Sequence, residues 1–155
     1  MRPSVRIEIT GLKELRARFA QYPDKFNKAV LKTLEAALFI LSGAVPPYPP
    51  RPETSTYRRT GTLGRKLGSA ESGGATLLPA DIWETHHLGA GSFTAEWGTR
   101  LSYAPYVIGT FEQARHMSHW WVIATVARRA SPKIAEAFDR MAEVLAKWLD
   151  GQGQA

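Results

Sequence analysis

The sequence predicts an α+β fold: a mainly antiparallel sheet packed against a long N-terminal helix and a C-terminal amphipathic helix, with a long proline-rich arm. Three observations carry this. Val5, Ile7 and Ile9 alternate with Arg6, Glu8 and Thr10, and Phe93, Ala95 and Trp97 with Thr94, Glu96 and Gly98, the period of half-buried strands. Two segments, one running through Ile40 and one through Phe138, repeat apolar residues at helical spacing. Between them lies Pro46 to Leu67, PPYPPRPETSTYRRTGTLGRKL, where five prolines forbid helix and favour an extended backbone.

In chain order, Gly11 breaks the first strand, and Leu12, Leu15, Phe19 and Tyr22 mark a short helix that Pro23 ends. Phe26, Val30, Thr33, Ala37, Ile40 and Leu41 then form the stripe of the long helix, which Gly43 and Pro46 stop. The proline-rich arm, residues 46–62, carries Arg51, Arg58 and Arg59 against one acid, Glu53, and each proline turns its predecessor away from helix. It closes in Arg59-Thr60-Gly61-Thr62-Leu63. A positive φ is expected at Gly61 and burial at Leu63, so that the arm plugs back into the body there.

Beyond the arm, short strands are expected at Leu67 to Ser72, around Ile82 to Glu84 and at Phe93 to Trp97. Tyr103 to Thr110, YAPYVIGT, reads as an edge strand that Pro105 begins and Gly109 closes, with Tyr103 and Tyr106 as anchors. The stretch from His116 to Arg129 reads as a helix. Ser131 reads as the N-cap of the last helix, Pro132 as its first position and Gly151 as its stop. Ile134, Phe138, Met141, Leu145 and Trp148 form one face of it, and residues 151–155 are expected to be a disordered tail.

The 155 residues suit a single domain with one core. The absence of cysteine excludes disulfides, thiolate metal sites and a cysteine nucleophile. A net charge of +6 favours contact with polyanions without demonstrating it. No apolar run suits a signal peptide or a membrane span, so no membrane partner is expected. His86-His87 and His116-x-x-His119 lack acidic companions at ligand spacing, so no metal is expected. No Gly-x-Ser-x-Gly elbow, phosphate loop or dinucleotide fingerprint appears, so neither an enzyme nor a cofactor is expected. The plain alternatives are a solvent-exposed linker for the arm and a solvated surface for its basic residues. Arg51, Tyr57, Arg58 and Arg59 are the candidates for partner contact, because arginine and tyrosine are enriched at interfaces.

PPYPP…STYRRTGTL, then YAPYVIGT, then a C-terminal amphipathic helix resemble the tail-component family of tailed double-stranded-DNA bacteriophages, found at the neck or tail-completion position. Many relatives carry an acidic and then an aromatic residue between the valine and Gly-Thr, where this chain has Ile108 alone. The resemblance implies a non-enzymatic virion subunit that assembles with copies of itself into a ring, hexameric by that likeness. Its other partners would be a neck head-closure protein and tail terminator or tail tube proteins, with non-specific DNA contact in the channel. The virion, and the host cytoplasm during assembly, would be its locations. A small basic nucleic-acid-binding module is the alternative, supported by charge alone.

Overall fold

A computed structural model describes residues 2–9, 12–56, 61–68, 79–89, 91–110 and 119–152. The chain is α+β. Its elements are β1 (Ser4–Glu8), α1 (Lys13–Arg18), α2 (Pro23–Gly43), α3 (Thr62–Lys66), β2 (Ile82–His87), β3 (Phe93–Gly98), α4 (Ala104–Ile108) and α5 (Ile123–Gln152).

The sheet has the order β1-β3-β2 and is antiparallel throughout. Val5, Trp97 and Trp83 share one row and Ile7, Ala95 and Thr85 the next. These rows face the helices, and their central residues Ala95 and Trp97 are fully buried. The alternate rows, Arg6-Glu96-Glu84 and Glu8-Thr94-His86, face away, because successive strand residues point to opposite sides. Glycine at 98 allows β1 to approach: a Cβ there would lie 2.3 Å from the carbonyl oxygen of Pro3. A turn closes the β2–β3 hairpin, Leu88 N donating to Ser92 O at 2.9 Å and Ser92 N to Gly89 O at 2.8 Å.

The helix α2 lies on β2 and β3 and buries Phe26, Val30, Leu34, Ala37, Leu38 and Leu41. That stripe recurs every three or four residues, so one face is apolar along the whole helix. The helix α5 packs mainly against α2 and meets the sheet at β1. Phe26 bridges the layers, its ring 5.9 Å from Phe19 and 6.1 Å from Phe93.

Several sequence expectations need correction. The third strand is β2, and YAPYV is not a strand: Ala104 to Ile108 is a helical turn with Pro105 in its first two positions. Proline's fixed φ suits the start of a helix as well as the edge of a sheet. Ala104 and Ile108, four apart, are both buried, which the helical turn permits. Leu67 does not begin a strand, since it caps α3 and Gly68 turns left-handed at φ 71°. Residues 69–72, the rest of that expected strand, lie outside the described residues.

Ser131 and Pro132 do not start the last helix. They lie inside α5, which already begins at Ile123. Ile123, Val126, Ala130, Ile134, Met141 and Leu145 keep one helical phase across the proline. Burial of that continuous stripe opposes the roughly 3 kcal/mol that an interior proline costs. The expected helix at 116–129 is therefore real only from Ile123, and residues 116–118 lie outside the described residues. Gly151 is not the stop either, because α5 continues to Gln152. Residues 153–155 of the expected tail lie outside the described residues.

Candidate functional site

The arm starts from a fixed root. Val45, just past α2, is buried, and Tyr48 packs its ring 5.1 Å from that of Trp120. The Tyr48 hydroxyl accepts a hydrogen bond from Gly64 N at 2.7 Å. Gly64 stands in the first turn of α3, where backbone N–H groups have no partner within the helix. A tyrosine sixteen residues upstream thus does the work of an N-cap side chain. Gly61, at the true N-cap position, cannot supply one. Its φ of 70° is left-handed, a conformation that favours glycine and aims the chain into α3. Leu63 follows, buried in the core. Tyr48 of the PPYPP piece and the Gly61 to Gly64 piece are therefore one junction in space.

A buried polar chain holds the junction from beneath. Trp97 Nε1 donates to Ser42 Oγ at 2.9 Å, and Ser42 Oγ donates to the carbonyl oxygen of Leu67 at 3.1 Å. The central strand, the last turn of α2 and the end of α3 are joined by two bonds in an apolar surrounding, where such groups must be paired. Asp81 holds it from the side. Its carboxylate accepts Arg100 N at 2.9 Å and meets Lys66 Nζ at 3.3 Å. Its own N–H donates to the carbonyl oxygen of Lys66 at 2.8 Å. The backbone hydrogen bond from Arg100, opposed by burial and helped by Lys66, holds this carboxyl below its ordinary pKa.

Residues 50–54 and 56 beyond the root are exposed, and the segment is not extended throughout. Ser55 N donates to the carbonyl oxygen of Pro52, and Arg51 Nε donates to that of Ser55 at 2.9 Å, closing a tight turn. Proline's fixed φ presets such a turn as readily as an extended run. The far end of the expected arm is helical, because Thr62 opens α3. Arg51 is thus committed partly to its own loop. Tyr57, Arg58, Arg59 and Thr60 lie outside the described residues.

The second group of candidate residues forms a surface instead of a strand. Tyr103 precedes α4, and both Tyr103 and Tyr106 are exposed. Pro105 is half-buried, while Gly109 is buried at the C-cap with its N–H donating to the Pro105 carbonyl at 2.9 Å. Ile108 is fully buried, a core position. His86 and His87, as neighbours on β2, point to opposite faces. His86 Nε2 lies 3.4 Å from Glu84, and His87 stacks on Phe93 at 4.5 Å. Among the described residues no three His, Cys, Asp or Glu side chains gather as a metal would require. No described helix is long and apolar enough to cross a membrane.

Tyr48, Ser42, Asp81 and Trp120 were not among the candidates the sequence singled out for this junction. Tyr48 had a usable signal, as a tyrosine flanked on both sides by proline pairs that fix where it points. No family model, curated protein or solved structure matches the chain.

Proposed function

We propose that the chain is a structural subunit of the head-to-tail neck of a tailed bacteriophage, a tail-completion or minor tail component. It acts by contact and not by catalysis, assembling as a ring and joining the neighbouring neck and tail proteins. The motif resemblance to tail components supports this reading. The observation that carries it is the bond from Gly64 N to the Tyr48 hydroxyl, which anchors the root of the loop while residues 50–54 stay exposed. A loop fixed at its base and rich in proline loses little freedom when a partner receives it. In this reading the arm extends onto a neighbour on assembly and Tyr57, Arg58 and Arg59 join the contact. The arginines act there as interface anchors more than as a DNA site, since arginine and tyrosine are enriched at protein interfaces.

The test replaces residues 49–57 with a short Gly-Ser linker and leaves Tyr48 in place. Filled heads and tails are expected to accumulate separately while the variant subunit keeps its circular dichroism spectrum. Joining at normal yield with this variant would overturn the assembly role of the arm.

A further inference from the structure

The three-stranded sheet ends in two strands, β1 and β2, each hydrogen-bonded on one side to β3. Among the described residues no strand pairs with the other side of either. Exposed strand edges are templates for pairing with another chain, and soluble proteins blunt them with charged side chains, above all lysine, with proline or bulges, or by covering them with a helix or loop. Neither SVRIE nor IWETHH contains lysine or proline, and both pair with β3 in unbroken register.

We propose that the β1 edge of one copy pairs with the β2 edge of the next, so that the sheet continues from subunit to subunit. This rests on the ring reading above and gives it a specific seam. Both edge strands run antiparallel to β3, so a head-to-tail repeat that keeps strand direction brings β2 and the neighbour's β1 together in parallel.

The charges set the register. Along the outer face, one row holds Arg6, Glu96 and Glu84, and the next holds Glu8, Thr94 and His86. Within one copy, Glu84 sits directly across from Glu96, a like-charge pair. The Glu84 carboxylate is met by Arg100 Nη2 at 2.8 Å and His86 Nε2 at 3.4 Å, so a neighbour's Arg6 would join an existing charge cluster. Glu8 faces only Thr94. Continuing the same rows into the next copy sets its Arg6 beside Glu84 and its Glu8 beside His86. The inner face then matches too, with Val5 against Trp83 and Ile7 against Thr85. Val5, Ile7 and Trp83 are all half-buried in the single chain, and Phe39, 42% exposed, packs edge-on to Trp83 at 4.6 Å. That apolar ridge would be covered by the seam. A slip of two residues one way puts Glu8 beside Glu84, and the other way Arg6 beside His86. Charge therefore selects one register among those that keep the faces correct. Such a contact uses different surfaces on the two copies, the kind that closes into a ring when the rotation allows.

The native chain has no cysteine, so engineered pairs report without background. Facing residues on neighbouring strands lie within ~4.7–4.9 Å, close enough for a disulfide. Arg6 is exposed and the Glu84 side chain is 42% exposed, and E84C removes a partly exposed ion pair to Arg100, so R6C and E84C are expected to fold. Mild oxidation of the concentrated double variant R6C/E84C is expected to give a ladder of covalent multimers. An equal mixture of the two single variants should give mixed dimers, while each single variant alone stays monomeric on a non-reducing gel. A dimer from one single variant alone would mean that like edges pair, and would overturn the proposal. So would the absence of any crosslink while light scattering shows multimers, in which case self-assembly stands and the seam does not. Absence of both crosslinks and multimers would remove the seam and the ring reading together. As a second measurement, R6E is expected to weaken association at least tenfold without moving the denaturant midpoint of the dilute subunit, and unchanged association would overturn the charge-selected register.

Discussion

Ser42 is a small residue with a large structural effect. It accepts from Trp97 and donates to Leu67, so one hydroxyl satisfies an indole N–H and a backbone carbonyl in the core. Ser42→Ala removes both bonds while changing volume little, and leaves two buried polar groups unpaired. We expect a loss of about 2–3 kcal/mol in denaturant melts, at the upper end for an orphaned buried group. A loss under about 0.5 kcal/mol would show that water replaces the hydroxyl. Asp81 makes a prediction of another kind. Its folded pKa is depressed, so its contribution is present above the ordinary carboxylate range and fades as pH falls through the folded value. Asp81→Asn should therefore lower stability at pH 7 and flatten the acid limb below about pH 4. An unchanged slope on that limb would show that Asp81 does not couple to folding. Neither residue was legible in advance. A serine near a helix end and a lone aspartate carry no periodic signal, and their partners lie far along the chain.

At the scale of elements, legibility followed pattern length. The strand at Phe93 and the stripe of α2 repeat over enough residues for one period to win, and both are present. Tyr103 to Gly109 is too short to distinguish a helical turn from an edge strand, and Pro105 is compatible with both. At Ser131-Pro132 a local start signal outweighed the phase of the residues before it, yet Ile123 to Leu145 form one unbroken stripe. The same error of scale inflated Phe138, which looks like a core anchor in sequence but is half-buried in α5. Full burial would imply a loss of roughly 3–5 kcal/mol for Phe138→Ala. Partial burial lowers the expectation to about 1–3 kcal/mol by chemical denaturation, because less area returns to water. A loss above about 4 kcal/mol would mean that something further covers this face.

Across the whole molecule, α2 and α5 run antiparallel, and an aromatic clasp closes each end of the pair. At one end the Trp148 ring stacks 5.9 Å from Phe19, meets Tyr22 edge-on at 4.9 Å, and carries Lys25 Nζ 4.2 Å from its centroid. One side chain on the last turns of α5 thereby holds α1, the corner before α2 and the start of α2 itself. At the other end Tyr48 meets Trp120, between the end of α2 and the start of α5, and this clasp also holds the root of the arm. The two clasps should differ in what they govern. Trp148→Ala removes contacts among three helices of the core and is expected to cost about 2–4 kcal/mol globally, a little below a fully buried tryptophan. Trp120→Ala is expected to cost less, on the order of 1–2 kcal/mol, because Tyr48 keeps its bond to Gly64 and the core beneath stays packed. Its larger effect should be local, as faster amide exchange at Gly64 and in residues 51–56 with unchanged exchange at Trp97. The sites lie at opposite ends of the helix pair, so the double variant should lose the sum of the two within about 0.5 kcal/mol. Strong non-additivity, or a Trp120→Ala variant that loosens the sheet as much as the arm, would show that the arm's root and the core unfold as one unit. The loop could then not be reshaped by a partner without disturbing the fold, which would count against an arm that docks after the subunit has folded.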